Sequence, residues 1–412
     1  MNFIRRQMSL ISKNIREHRS FWFVFGVGLA LRILLNNAAD SFDFYAFVMW
    51  AKYLTTHHIA DVFKYLPDGY TPYPPLYYYL LGLLGFIISW LGLWGNKWLT
   101  YLIIRSPVFL ADILVMGIVY WFTRKYISKK QAPWAAAFYF LHPVVIYNTS
   151  IWGQIDAVVT VLALGSLISF ILKKPFWGIG IYIVGILTKL QILAVLPLIG
   201  FIGITSGRLK KNGSILLTWI CLATLPFLPI ISIYGLKWTW DYFFTIPNWY
   251  AYTSVYTYNI WAPFGFIISD NTKFFNLFPY KYVGIFLFWL VAFLILKPLF
   301  HKHKRTPIML MFAGFLLWFD FSFFATRIHS RYLIYSFGFF APFSVYFPDL
   351  AVGLSLLMIV NLLLPIKNPS FQMIVNFLNQ KNTVILFVIF AFALFILGLK
   401  RYYQLPKNET QK

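Results

Sequence analysis

PPLYYYLLGLLGFIISWLGLW, residues 74–94, is apolar and long enough to cross a bilayer, and how it is placed fixes the topology of everything after it. Basic residues flank the other apolar runs in six clusters. They lie at the N-terminus (Arg5, Arg6, Lys13, Arg16, Arg19), at 124–130, at Lys173 and Lys174, at 208–211, in HKHKR (301–305) and after Lys400. Positive charge collects on the cytoplasmic side of membrane proteins, so all six belong on one face. Twelve spans achieve this: roughly 21–37, 105–122, 132–148, 155–172, 175–188, 190–205, 214–233, 282–299, 307–325, 331–347, 350–366 and 383–399. Counting 74–94 as a crossing would move every later cluster outside. We therefore place 38–104 in one extracytoplasmic loop, with 74–94 as a re-entrant or interface-lying hairpin. The alternative is a thirteenth span, with the chain ends on opposite sides.

The composition agrees with this class. The 412 residues are 60% hydrophobic, 21% aromatic and only 11% charged, with a mean hydropathy of +0.70, which points to a polytopic α-helical membrane protein. No period-2 barrel strands are visible. The first run lacks a small-residue cleavage site and reads as a retained helix. The net charge of +23 is dispersed over short loops, which argues against nucleic acid as a partner. The single cysteine, Cys221, rules out an intrachain disulfide framework. The expected organisation is a basic N-terminus (1–20), a main transmembrane module (21–348) holding the first loop (38–104) and an aromatic outer loop (234–281), C-terminal helices (349–399) and a tail (400–412). Both termini fall in the cytoplasm.

Acid is scarce and concentrated outside. Asp40, Asp43, Asp61, Asp68, Asp156, Asp241 and Asp270 fall there, whereas Glu17 and Glu409 lie in the tails. With 40–54 as a helix, Asp43 shares a stripe with Asp40, Phe47, Trp50 and Leu54, opposite Ser41, Tyr45 and Lys52. A carboxylate on an apolar face needs a partner or a task. Asp40 suits a helix cap equally well.

Five stretches then carry a resemblance: DFYAFVMWA (43–51), YPPLYYYLLG (73–82), RSPVFLADIL (105–114), HPVVIYNTSIWGQIDAV (142–158) and RIHSRYLIYSF (327–337). In this order, across most of 38–340, they resemble the GT-C membrane glycosyltransferases. The nearest group is the bacterial and archaeal mannosyltransferase-like proteins related to the enzyme that adds the second mannose of GPI anchors. WGQID is the most specific piece. The family places its first large loop outside and starts its second crossing near Arg105, as the charge pattern also favours.

The resemblance implies hexose transfer, with mannose as the family-based sugar, from a polyprenyl-phosphate donor at the outer face of the cell membrane. The acceptor would be a lipid-linked glycan, a lipid or a protein. No Gly-rich phosphate loop or nucleotide-binding unit is visible, which suits a lipid-borne donor. Asp43 is the expected base for the acceptor hydroxyl. Arg327, His329 and Arg331 would face the departing phosphate, the two arginines sharing one face if helical; otherwise they anchor lipid headgroups. Lys189 and Gln191 match a family turn in which Leu190 replaces proline; Lys189 contacts phosphate or sugar, or merely snorkels. Gln154 and Asp156 hydrogen-bond the sugar or help hold a metal, unless Asp156 only favours a helix start. Tyr73 and Arg105 lie in the matched stretches, and Asn259 and Trp261 fall near a family N-x-W pattern. Asp40 completes the expected substrate contacts. Ser330 stands where the family often has an acid.

Asp112 and Asp320, inside apolar helices, read as structural acids. His57 and His58 are adjacent, do not face one point, and carry no zinc spacing. A Mg²⁺ or Mn²⁺ cofactor is left open, since some relatives use one. A transporter or lipid-carrier flippase is the rival class, though no inverted repeat is visible.

Overall fold

The computed structural model describes residues 18–39, 41–65, 71–205 and 213–405. Of the described residues 79% are helical, and the named strands among them are four two-residue pieces, so the all-α class holds. Among the described residues six elements are long and apolar enough to cross a membrane: Arg19–Asn37, Lys97–Tyr126, Gly213–Tyr250, Tyr280–Phe300, Pro307–Phe324 and Lys381–Gln404. They coincide with six of the twelve expected spans. The other six expected spans are shorter or bent helices, so neither twelve nor thirteen crossings follows from helix length alone.

The clearest departure lies at 132–148, expected as one span. The helix Ala132–Phe140 stops, and the His142 side chain accepts from the Val144 amide to cap a new start at Pro143. Proline disfavours helical geometry in the residue before it, which explains the break. A five-residue π turn, Tyr147–Ile151, follows. The chain then bends by 118° into Asp156–Ile171. Gly153 makes the bend with φ +75, and a Cβ there would lie 2.5 Å from the Phe44 ring. Only glycine fits both demands.

Residues 74–94 contain the helix Pro75–Trp90, which packs along Phe42–Tyr53 so closely that a Cβ on Gly85 would meet the Ala51 carbonyl. Phe47, Trp50, Tyr73, Tyr77, Tyr78 and Leu81 form an apolar cluster of their own with Ile104 and Val108. The first loop is thus a packed helical module. Two boundaries also shift. The segment expected as a loop from 234 continues helical as Leu236–Thr245 and Ile246–Tyr250, and the last helix runs through residue 404 into the expected tail.

The face assignment for Phe42–Tyr53 is largely as the periodicity requires: Phe47 and Trp50 are buried, and Tyr45 and Lys52 are exposed. Capping is corrected. Ser41, not Asp40, is the cap: its hydroxyl accepts from the Phe44 amide and donates to the Trp152 carbonyl. Asp40 lies outside the described residues.

Candidate active site

Two carboxylates and two cations meet where the first loop, the bent segment, the Lys189 break and the 325–331 turn converge. Asp43, in the first turn of Phe42–Tyr53, presents Oδ2 to the Trp152 indole N–H at 3.1 Å and to the Gln154 amide at 2.5 Å. The bend at Gly153 sets both donors on one carboxylate oxygen. The Asp43 side chain stays 18% exposed, and Oδ1 accepts no hydrogen bond from the described residues.

Asp156 opens the next helix and is fully buried. Lys189 Nζ sits 2.6 Å from Oδ1, which also accepts from the Tyr335 hydroxyl at 2.5 Å; Asn148 donates to Oδ2 at 3.3 Å. Lys189 reaches it because the chain turns extended (φ −160, ψ 127) between Pro175–Thr188 and the 3-10 turn Leu190–Val195. Arg331 joins the two acids, its Nη1 3.7 Å from Asp43 and its Nε 3.6 Å from Asp156. Those separations are attraction without a hydrogen bond. Buried Arg331 Nε, Gln154 Oε1, Asn148 Oδ1 and Ser150 Oγ have no hydrogen-bond partner among the described residues. Such groups carry a desolvation cost unless something polar meets them, so the cluster suits a hydroxyl-rich ligand.

A cavity of about 350 Å³ adjoins the cluster. Its lining includes Tyr73, Lys189, Gln191, Arg327, His329 and Arg331, together with Ile246, Pro247, Trp249 and Tyr250. Gln191 donates to the Tyr332 hydroxyl at 2.8 Å. His329 packs edge-on against Tyr250. Burial, then the Arg331 and Lys189 charges, hold its imidazole well below the usual range, so it is neutral.

The expected pairing of Arg327 and Arg331 on a helical face is corrected. Residues 328–329 form a short strand, parallel to Ser254–Val255, and Arg327 has φ +65. Arg331 points to Asp43 and Asp156. Arg327 is spent elsewhere: Nε is 2.7 Å from Asp270 Oδ2, and Nη1 donates to the Pro247 carbonyl and Asn248 Oδ1, each at 3.0 Å. It ties the 246–250 segment to the turn that leads to Arg331.

Asp43, Gln154 and Asp156 are not among the lining residues and reach the cavity only through Lys189 and Arg331; Arg105, Asn259 and Trp261 also lie outside the lining. Arg105 is buried, donates to the Asn36 and Ile151 carbonyls and covers the Phe44 ring. It fixes the helix that carries Asp43. Asn259 donates to the Thr253 carbonyl and accepts from the Trp261 amide, while the Trp261 indole donates to the carbonyls of Phe324 and Ala325. This pair supports the turn before Arg327.

Trp152, Asn148, Tyr335 and Asp270 were not singled out by sequence reasoning. The first three lie inside the matched stretches; Asp270 carried no local signal. A divalent ion finds a poor donor set here. Among the described residues no three His, Cys, Asp or Glu side chains converge, and an ion between Asp43 and Asp156 would face Lys189 and Arg331. No protein-family model matches the chain, and no curated protein matches it significantly.

Proposed function

We propose that the chain is a membrane glycosyltransferase of the GT-C type that moves a hexose, mannose by resemblance, from a polyprenyl-phosphate donor to a lipid-linked glycan, lipid or protein. The observation that carries this is the meeting of a half-satisfied carboxylate, Asp43, with Arg331, which lines a cavity together with Lys189. A twelve-crossing arrangement, with the shorter and bent helices completing the six long ones, puts both termini inside and this cavity outside.

The chemistry balances on these residues. The acceptor oxygen attacks the anomeric carbon, the carbon–oxygen bond to phosphate breaks, and the phosphate leaves with the electron pair. Asp43 takes the hydroxyl proton, on the oxygen that Trp152 and Gln154 leave open. Asp43 and Asp156 together balance Lys189 and Arg331 in the resting protein. Protonating Asp43 releases Arg331 from one partner at the moment the phosphate gains charge. Stabilisation then appears in the transition state, where it accelerates the reaction.

The test is transfer from labelled polyprenyl-phosphate mannose to native lipid acceptors in membranes lacking other mannosyltransferases. Transfer by the wild type, lost in a normally expressed Asp43→Asn variant, supports both reaction and base. Equal transfer by the two removes Asp43 from the role. A bent span next to buried charges also suits a transporter. If mannose, glucose and galactose donors all fail as substrates, while the protein moves the lipid carrier across liposomes, that rival class takes over.

A further inference from the structure

A second recess shares no residue with the Asp43 cluster and takes no part in the proposed transfer. It is a trough of about 590 Å³ between the helices Arg19–Leu34, Lys97–Tyr126 and Asp156–Ile171. Its wall is apolar, with Phe21 and Phe25 on the first helix, Gly117 and Trp121 on the second, and Ile168 and Leu172 on the third. Basic residues lie close in sequence to lining residues of all three helices. Arg19 precedes Phe21 by less than a turn, and Lys173 and Lys174 follow Leu172. Lys125 places its amine 5.1 Å from the Trp121 ring. All four basic residues are exposed. Lys173 is held in the left-handed region at φ +61, and a hydrogen bond between His18 and Tyr120 ties the start of the first helix to the second. No acid is among the described lining residues, and Asp112, next to Ile113 in the chain, is paired with Arg32.

We infer that this trough is a binding site for an anionic phospholipid, with an acyl chain against Phe25, Gly117 and Ile168 and the phosphate at the Arg19, Lys125, Lys173 and Lys174 rim. Charge complementarity chooses the occupant. A soluble anion has no use for an apolar trough that long, and a zwitterionic lipid gains little from four cations. Two of the three walls belong to helices of crossing length, so the trough opens where lipid is present. The four basic residues are ones that the charge rule assigns to the cytoplasmic leaflet.

The experiment uses the purified, delipidated full chain in neutral detergent. Its thermal midpoint is followed against added phosphatidylglycerol, phosphatidylcholine or glycerol 3-phosphate. Phosphatidylglycerol should give a saturable rise that the other two do not. Two variants attack the halves separately. Gly117→Leu fills the trough and leaves the rim intact, because a Cβ at Gly117 meets nothing within 4 Å. Changing Arg19, Lys125, Lys173 and Lys174 to Gln strips the rim and leaves the trough, and should weaken the apparent affinity about fivefold per cation. Equal responses to the two lipids would overturn the inference. So would a full response to glycerol 3-phosphate, which marks an adventitious anion only, or a wild-type phosphatidylglycerol response in Gly117→Leu.

Discussion

Two buried acids on neighbouring helices are treated in opposite ways. Asp112 is closed off. Arg32 Nε and Nη2 face its Oδ2 at 2.9 and 2.8 Å, Tyr139 donates to Oδ1 at 2.9 Å, and Arg32 Nη1 finishes on the carbonyls of Gly28 and Phe140. Every nitrogen of that guanidinium lies within about 3 Å of an oxygen, although Nη2 makes its ion pair without hydrogen-bond alignment. At Asp43 and Asp156 the same residue types stand further apart. Arg331 is beyond hydrogen-bond reach of both carboxylates, Gln154 Oε1 and Asn148 Oδ1 lack partners among the described residues, and Asp43 is partly open. The first pair is closed at contact distance, whereas a site that holds a changing charge keeps its cation further off and its acid open.

The largest effect should separate the two clusters by kind. Asp43→Asn is expected to lower sugar transfer by about 10²–10⁴-fold, the usual contribution of a positioned base, with an unchanged thermal midpoint. Asp112→Asn should instead cost about 3–5 kcal/mol of stability by stranding Arg32, while the protein that remains folded transfers normally. The double variant Arg32→Met, Asp112→Leu should recover most of that loss, since apolar residues replace a buried pair at little cost. Thermal melts and transfer rates, measured on the same preparations, decide both. A midpoint that falls as far in Asp43→Asn as in Asp112→Asn would erase the distinction.

How much of this was legible follows from the same contrast. Asp43 could be found because helical periodicity puts it on an apolar stripe, and the 142–158 stretch brought Gln154 and Asp156 with it. The break at His142–Pro143, which divides 132–148, was foreshadowed by the proline, but run length and hydropathy do not report it; the 118° bend lies further on, between Ile151 and Asp156. Arg327 misled for a different reason. A four-residue spacing from Arg331 implies a shared face only on a helix, and the positive φ at Arg327 removes the helix. Its partner, Asp270, lies 57 residues away. Pairings of that kind come from tertiary structure and leave no local pattern.

Asp270 gives the next test, because it resembles Asp112 in pairing and Asp43 in location. Thr326 and Arg327 both donate to it, and Arg327 in turn holds the 246–250 wall of the cavity. Asp270→Asn should cost about 1.5–3 kcal/mol, the worth of charged hydrogen bonds. It should also raise KM for the donor more than it lowers kcat, since the wall loosens while Asp43 and Arg331 stay in place. A selective loss of kcat would instead move Arg327 into the chemistry.

Asp320 is the third kind of acid. It is buried in Pro307–Phe324, and neither oxygen has a hydrogen-bond partner among the described residues. If the comparison is sound, this group contributes to neither stability nor transfer. Asp320→Val should then raise the thermal midpoint, by up to about 1–3 kcal/mol of relieved desolvation, and leave transfer unchanged. A drop in transfer would give the buried acid a role in moving protons or substrate, and would strengthen the transporter reading.

The smallest effect concerns pH. His329 is kept neutral by burial and by Arg331 and Lys189, whereas in the unfolded chain it titrates near its usual value of about 6.5. The folded pKa is depressed, so the unfolded chain binds the extra proton first. The contribution is therefore complete above about pH 6.5 and is lost progressively as pH falls below it. His329→Gln should flatten this part of the acid limb in thermal melts between about pH 6.5 and 5. Transfer by the wild type should show no inflection from His329 above pH 6.5, because the imidazole carries no proton to give. An inflection near 6.5 that disappears in His329→Gln would mean that the imidazole titrates in the folded protein. The cations around the cavity would then be less confining than their spacing from His329 requires.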